Sequence, residues 1–321
     1  MMGFQVYITK DKKQMSQVAA QIVLGQILSF IPSEEKEKMV LGLATGSTPT
    51  GLYDIIASNQ HLFDAQRIVS FNLDEYVGLP GATPEERARH PESYAHFMSE
   101  QLFQKLTPSF AKTFIPQGTK VAEERLIQEL GSHKDDPSYY ELKGTDFGKA
   151  VSIPDTTLSD YLSWIKREIL DGYEELIRSY GGIDLQVVGV GEKGHIGFHE
   201  CGIPLEERML LVKLDESTIQ NAVKDGHFSS VEESPHYAIS MGAGLVYEAS
   251  LILLLASGER KRETIAGSLL GPVTCNLPIS FSQEYAKKGK MIYIVDELAA
   301  KDILGKESIL SSKEIYVSDL R

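Results

Sequence analysis

The runs FQVYIT (4–9), MVLGLA (39–44), IVSFNL (68–73), LQVVGV (185–190), YAISM (237–241), LILLLA (251–256) and MIYIVD (291–296) are short, apolar almost throughout, and separated by segments of helical character. A strand with one face in water alternates polar and apolar residues, whereas a run that does not alternate has to be covered on both faces. Amphipathic spacers at 14–30, 91–106 and 160–180 supply that cover. The pattern predicts an α/β fold, a doubly wound, mostly parallel sheet with helices on both faces, built by 1–321 as one domain.

Segment 119–160 breaks the rhythm. It is polar, holds no convincing strand, and separates two sheet strands by more than a crossover needs. About 119–165 is therefore expected to be an insertion, and GATPEERAR (81–89) a surface loop or lid.

The 321 residues include 45 acidic and 32 basic side chains, a formal net charge of −13. That field repels nucleic acid and anionic membrane, so an anionic ligand needs a local positive cradle. Neither Cys201 nor Cys275 has metal-ligand spacing around it, and the longest apolar run is too short to span a bilayer. The N-terminal stretch MMGFQVYITKDKKQ lacks the apolar core of a secretion signal. A reduced, cytoplasmic protein is expected, with no metal, no nucleic-acid partner and no membrane contact. Self-association is left open.

Three loops carry residues suited to chemistry. In LGLATGSTPTGLYDII (41–56) a strand runs through Thr45-Gly46-Ser47-Thr48-Pro49 into a helix. Gly46 lets the backbone approach a ligand, Ser47 and Thr48 offer N-cap hydroxyls, and free N–H groups at a helix start attract an anion. A Gly-Lys-Ser/Thr ending is missing, which disfavours a nucleoside triphosphate. The bland alternative is a capped helix with no ligand. In FNLDEYVGLP (71–80) an apolar strand ends in Asn72, Asp74 and Glu75, with HPESYAHFM (90–98) following. Carboxylates at a parallel strand's C-terminal end sit where doubly wound folds bind ligands, and one of them suits a general base; a solvated strand end is the alternative.

The third loop is GVGEKGHIGFHE (189–200). Gly189, Gly191 and Gly194 satisfy G-x-G-x-x-G after a strand, and Asp215 lies at about the spacing of a ribose-binding acid. No amphipathic helix begins after Gly194, however, and the motif falls late in the chain, so a dinucleotide site is set aside. An imidazole and a carboxylate on a glycine turn suit proton transfer, with Glu200 orienting His195. A structural histidine is the alternative reading.

LATGSTPTGLY, FNLDEYVGLP with HPESY, VGVGEKGHIGFHE and YAISMGAGLVYEASLILLLASGERK resemble, in order and spacing, the signature segments of the glucosamine-6-phosphate deaminase (isomerase) family, whose wider superfamily includes 6-phosphogluconolactonase. The resemblance spares 81–89 and about 119–165. It implies that Asp74 is the base moving a proton between C1 and C2 of an open-chain sugar, and that His195 with Glu200 opens the pyranose ring. It further implies that Gly46, Ser47 and Thr48 hold the sugar phosphate with Lys261 and, less securely aligned, Lys224. No organic cofactor is implied.

The chain departs from the family pattern at several positions. Lys193 stands where the family loop has an aspartate, which removes a carboxylate partner from His195 if the side chain points inward; Glu192 is the alternative carboxylate, though adjacent residues on a turn rarely point the same way. His199 stands where an asparagine is usual, a change that bears on which sugar hydroxyl is read. Leu210 and Val212 replace the basic residues of an allosteric phosphate site, so regulation by an amino-sugar effector is not expected. The expected partner is a phosphorylated amino sugar, isomerised and deaminated. A sugar-phosphate isomerase or lactonase of other specificity, and a catalytically silent sugar-phosphate sensor, are the competing readings.

Overall fold

A computed structural model describes residues 3–145 and 148–321. Its strands are, in order, β1 (Gly3–Thr9), β2 (Met39–Leu43), β3 (Ile68–Asn72), β4 (Asp74–Val77), β5 (Lys112–Phe114), β6 (Glu141–Lys143) and β7 (Lys149–Ser152). They continue with β8 (Leu185–Val188), β9 (Met209–Lys213), β10 (Tyr237–Met241), β11 (Leu251–Ala256), β12 (Lys290–Asp296) and β13 (Ile315–Asp319). Eight of them form one sheet, ordered β13-β1-β12-β11-β8-β2-β3-β5, in which every pairing is parallel. The α/β, doubly wound reading holds: β2, β3 and β5 step outward one way, β8, β11 and β12 the other, and the order reverses between β2 and β8.

Burial explains the unalternating runs. Along β11, Leu251, Leu253 and Leu255 pack into one core with the helix Lys12–Ser29, while Ile252, Leu254 and Ala256 pack into another with the helix Arg262–Leu270. Successive side chains alternate between two apolar layers instead of between core and water.

The remaining strands form a five-stranded antiparallel sheet, β4-β10-β9-β7-β6. Two expectations change here. Residues 237–241, read as part of the parallel series, belong to this second sheet. Segment 119–160, read as strandless, contributes β6 and β7 to its edge. The helices Glu123–Ser132 and Asp160–Trp164 bury Leu126, Leu130, Tyr161 and Leu162 on one face, against Val77, Leu211 and Ile239. The opposite face, with Tyr76, Leu210, Val212 and Ala238, receives Phe198 and Ile203 from the histidine loop. Within 81–89 lies the short helix Pro84–Ala88, tied down by Arg87, whose Nε donates to the Thr119 carbonyl at 2.6 Å.

One residue joins the two sheets. Leu73 follows β3 and precedes β4; its N–H donates to Leu43 O at 3.1 Å, and its carbonyl accepts the Met241 N–H at 2.7 Å. Asp74 is thus placed at the seam, at the start of β4. Among the described residues no helix is long and apolar enough to cross a membrane.

Candidate active site

At the carboxyl ends of β2, β3 and β8 the loops enclose a cavity of about 200 Å³, lined by Thr45, Gly46, Thr48, Asp74, Tyr94, Gly191, His195, Gly197 and Phe198 among others. This is the switch point of the doubly wound sheet, where such folds place ligands.

The β2 loop contributes backbone. Gly46 has φ +97° with open space where a Cβ would stand, a conformation that favours glycine for its φ. Pro49 occupies the N-cap of the helix Thr50–Ser58, and no side chain caps that helix. The expected capping by Ser47 and Thr48 does not occur: Ser47 is exposed and off the cavity wall, while Thr48 lies on it. Uncapped N–H groups of a helix first turn remain available to an anion.

Asp74 is 4 % exposed, and its Oδ1 has no hydrogen-bond partner among the described residues. Burial, and then the charge of Glu75, pushes its carboxyl well above the ordinary carboxylate range. Glu75 serves a different end. Its oxygens accept Ser93 Oγ at 2.8 Å and the N–H groups of Tyr76, Tyr94 and Ala95 at 2.9, 3.1 and 3.0 Å. Three of these donors lie at the start of the helix Tyr94–Gln101. Glu75 is therefore an anchor for that helix, and it fixes Tyr94 on the cavity wall, where the ring stacks on Phe198 with centroids 5.8 Å apart. The sequence reading marked the HPESY segment but gave Tyr94 no role.

His195 sits opposite, its Nδ1 2.8 Å from the Gly197 carbonyl. A carbonyl only accepts, so Nδ1 is the donor, and in the neutral ring Nε2 is the acceptor. Gly197, at φ +53°, brings the turn against Asp74: a Cβ there would lie 2.9 Å from Asp74 Oδ2. Glu200 is 2 % exposed; its Oε1 accepts Thr218 Oγ1 at 2.6 Å and the Asp215 N–H at 3.4 Å. Burial raises its carboxyl, opposed first by the charge of His195 and then by these donors.

The altered positions are accounted for by packing. Lys193 turns to Asp215, Nζ to Oδ1 3.2 Å, with its side chain about half exposed. Asp215, a ribose-binding candidate by spacing, is the N-cap of the helix Glu216–Lys224 and accepts the Ser217 N–H and hydroxyl. Glu192 pairs with Arg260 at 2.8 Å. His199 is fully buried and off the cavity wall: Nδ1 accepts the Ala243 N–H at 3.0 Å, and Nε2 donates to Ile203 O at 3.2 Å. Burial pushes it down to about 4, so it is neutral and cannot read a sugar hydroxyl from there. Leu210 and Val212 are buried in β9.

Lys261 is partly buried at the end of a short 3₁₀ turn after β11, near Glu192, Arg260 and Asp225. Lys224 is exposed at the C-terminal end of the helix Glu216–Lys224. Neither lysine is on the cavity wall. Among the described residues no group of three or more His, Cys, Asp or Glu side chains is arranged to hold a metal.

The chain and its fold have counterparts. A glucosamine-6-phosphate deaminase of Shewanella halifaxensis is 32 % identical over 305 residues, 94 % of this chain and 93 % of that protein. Glucosamine-6-phosphate deaminase 2 of Bacillus subtilis is 35 % identical over 302 residues, 93 % and 97 % of the two chains. A solved monomeric glucosamine-6-phosphate deaminase aligns with a TM-score of 0.66 at 27 % identity, covering 93 % of this chain and 100 % of that one. The 6-phosphogluconolactonase of Leishmania guyanensis, at TM-score 0.58 and 17 % identity over 94 % and 99 % of the two chains, shares the fold. The family model described as glucosamine-6-phosphate isomerases/6-phosphogluconolactonase matches residues 10–292. The chain belongs to that family.

Proposed function

We propose that the chain converts a hexosamine 6-phosphate, glucosamine 6-phosphate or an epimer, into the ketose 6-phosphate and ammonia. The observation that carries this reading is the presence, on the wall of one small cavity, of a buried carboxylate with an unpartnered oxygen and an imidazole whose Nδ1 is held by the Gly197 carbonyl. His195 moves the proton that opens the sugar ring. Asp74 takes the proton from C2 of the open-chain aldehyde and returns it to C1, which leaves an imine at C2; water adds there and ammonia departs, so the net reaction is a hydrolysis. The raised carboxyl of Asp74 makes it a stronger base than an ordinary carboxylate. Gly46, Thr48 and the uncapped helix start bind the phosphate together with Lys261 and Lys224, and that remote binding orients C1 and C2. Lactone hydrolysis needs an activated water but no C2 base, so Asp74 in this setting favours the deaminase. A cytoplasmic location, where phosphorylated sugars are found, belongs to the same proposal.

Ammonia release from the purified protein with glucosamine 6-phosphate and galactosamine 6-phosphate tests it, beside Asp74→Asn. Turnover by the wild type and a loss of about 10²–10⁴-fold in the variant, with sugar phosphate still bound, is the expected result. Binding without turnover in both proteins would identify a sensor, and hydrolysis of 6-phosphogluconolactone in place of ammonia release a lactonase.

A further inference from the structure

Glu200 is a buried carboxylate, and its hydrogen-bond donors come from one place. Thr218, in the helix Glu216–Lys224, gives the 2.6 Å hydroxyl bond, and the N-cap residue of that helix, Asp215, gives its N–H to the same oxygen. Asp215 also brings a second negative charge beside Glu200, and Lys193, from the turn that carries His195, meets it at 3.2 Å. The helix therefore supplies donors and a charge, and the histidine turn answers the charge with a lysine.

We propose that Thr218 is a positioning residue that holds Glu200 for its work on His195, and that the Lys193–Asp215 pair sets the electrostatic environment of Glu200. The proposal rests on the deaminase reading for its role in ring opening, but not for its geometry. The charged and titratable groups around Glu200 are His195 and Lys193 from its own turn, His199 and Cys201 beside it, and Asp215 from the helix; Glu206 reaches the cluster through His199. Lys193 is thus the counter-charge of Asp215. It compensates an acid that would otherwise repel Glu200.

The variants have opposite signs. Thr218→Val removes a bond to the charged form and moves the Glu200 carboxyl up. Lys193→Met leaves Asp215 uncompensated and also moves it up. Asp215→Asn keeps an N-cap side chain but removes the repulsion, moving it down.

The experiment measures kcat/KM against pH with glucosamine 6-phosphate, and in parallel titrates the Glu200 side-chain carboxyl by ¹³C NMR without substrate. Thr218→Val and Lys193→Met are expected to displace the acid limb and the carboxyl titration to higher pH, Asp215→Asn to lower pH. Thr218→Ser should restore the wild-type values, and the Lys193→Met shift should vanish in the Asp215→Asn background. Thr218→Val is also expected to lower kcat roughly tenfold with KM kept, as for an interaction used after binding. Unmoved titrations with only thermal stability altered would overturn the proposal. Absence of turnover in the wild type, with the carboxyl shifts present, would fault the deaminase reading and leave the positioning role standing.

Discussion

The imidazole of His195 occupies the space that a side chain on Gly191 would fill: a Cβ built on Gly191 overlaps Nε2 and the carbons flanking it. The glycine that satisfied a dinucleotide-binding pattern by spacing is there to admit a ring. Gly191 is not in the left-handed region, so alanine fits the main chain and the conflict falls on His195 alone. Gly191→Ala should displace the ring, lower kcat/KM about 10²-fold and leave Tm nearly unchanged. Steady-state kinetics with a melting curve checks this; full activity in the alanine protein would mean the ring has no fixed place.

Glu75→Gln tests whether the second carboxylate of the Asp-Glu pair is an anchor. Every group bonded to Glu75 is a donor, and a glutamine amide must turn an N–H₂ toward at least one of them. A loss of about 2–3 kcal/mol in denaturant unfolding is expected. Because Tyr94 is released, KM should rise as well. Wild-type stability with selective loss of kcat would instead move Glu75 into the proton-transfer machinery.

His199 gives a pH dependence of stability. Its value falls from 6.5 to about 4 on folding, so in that interval the unfolded chain binds the proton that the native one refuses. Stability contributed by neutral His199 is therefore present above pH 6.5 and is lost as pH falls toward 4, by up to about 3 kcal/mol. Unfolding free energies at several pH values should show that slope, and His199→Asn should flatten it. Equal slopes in the two proteins would show that another group governs the window.

Lys261→Met addresses the anion cradle of a chain that is otherwise acidic. Burial pushes the Lys261 ammonium down, Glu192 holds it up, and Arg260 and Asp225 act with opposite signs. Loss of a charge-assisted contact to phosphate should raise KM roughly 10–100-fold with kcat little changed. The same variant should flatten the salt dependence of KM. A change in kcat alone would place the lysine at the reacting carbons.

Periodicity exposed the parallel sheet because its strands are buried on both faces. For the same reason it misassigned 237–241: β10 is covered on one side by the helices of 119–165 and on the other by the histidine loop, so it has the texture of a parallel strand inside an antiparallel sheet. Two-sided burial is legible in a sequence; strand direction is not. β4, spelled Asp-Glu-Tyr-Val, was invisible as a strand because its two polar residues are buried. β6 and β7 are too short to show a period. At the site, the residue types of the glycine turns and the Asp-Glu pair were legible. The partners of Lys193, His199 and Glu200 were not, since Asp215, Ala243 and Thr218 reach them only through the fold.

Most apolar side chains described in 119–165 pack on the face of the second sheet that looks away from the cavity, and none of the described residues of the segment lines the cavity wall. A layer of β-structure thus stands between the most irregular part of the chain and the spacing of Asp74 and His195. Side-chain changes on the helices Glu123–Ser132 and Asp160–Trp164 are absorbed by that layer, but a side chain at Gly148, whose Cβ would overlap the Glu200 Cβ, would not be. The outward faces of those two helices are where the protein can be tagged or given a new binding loop with its chemistry intact.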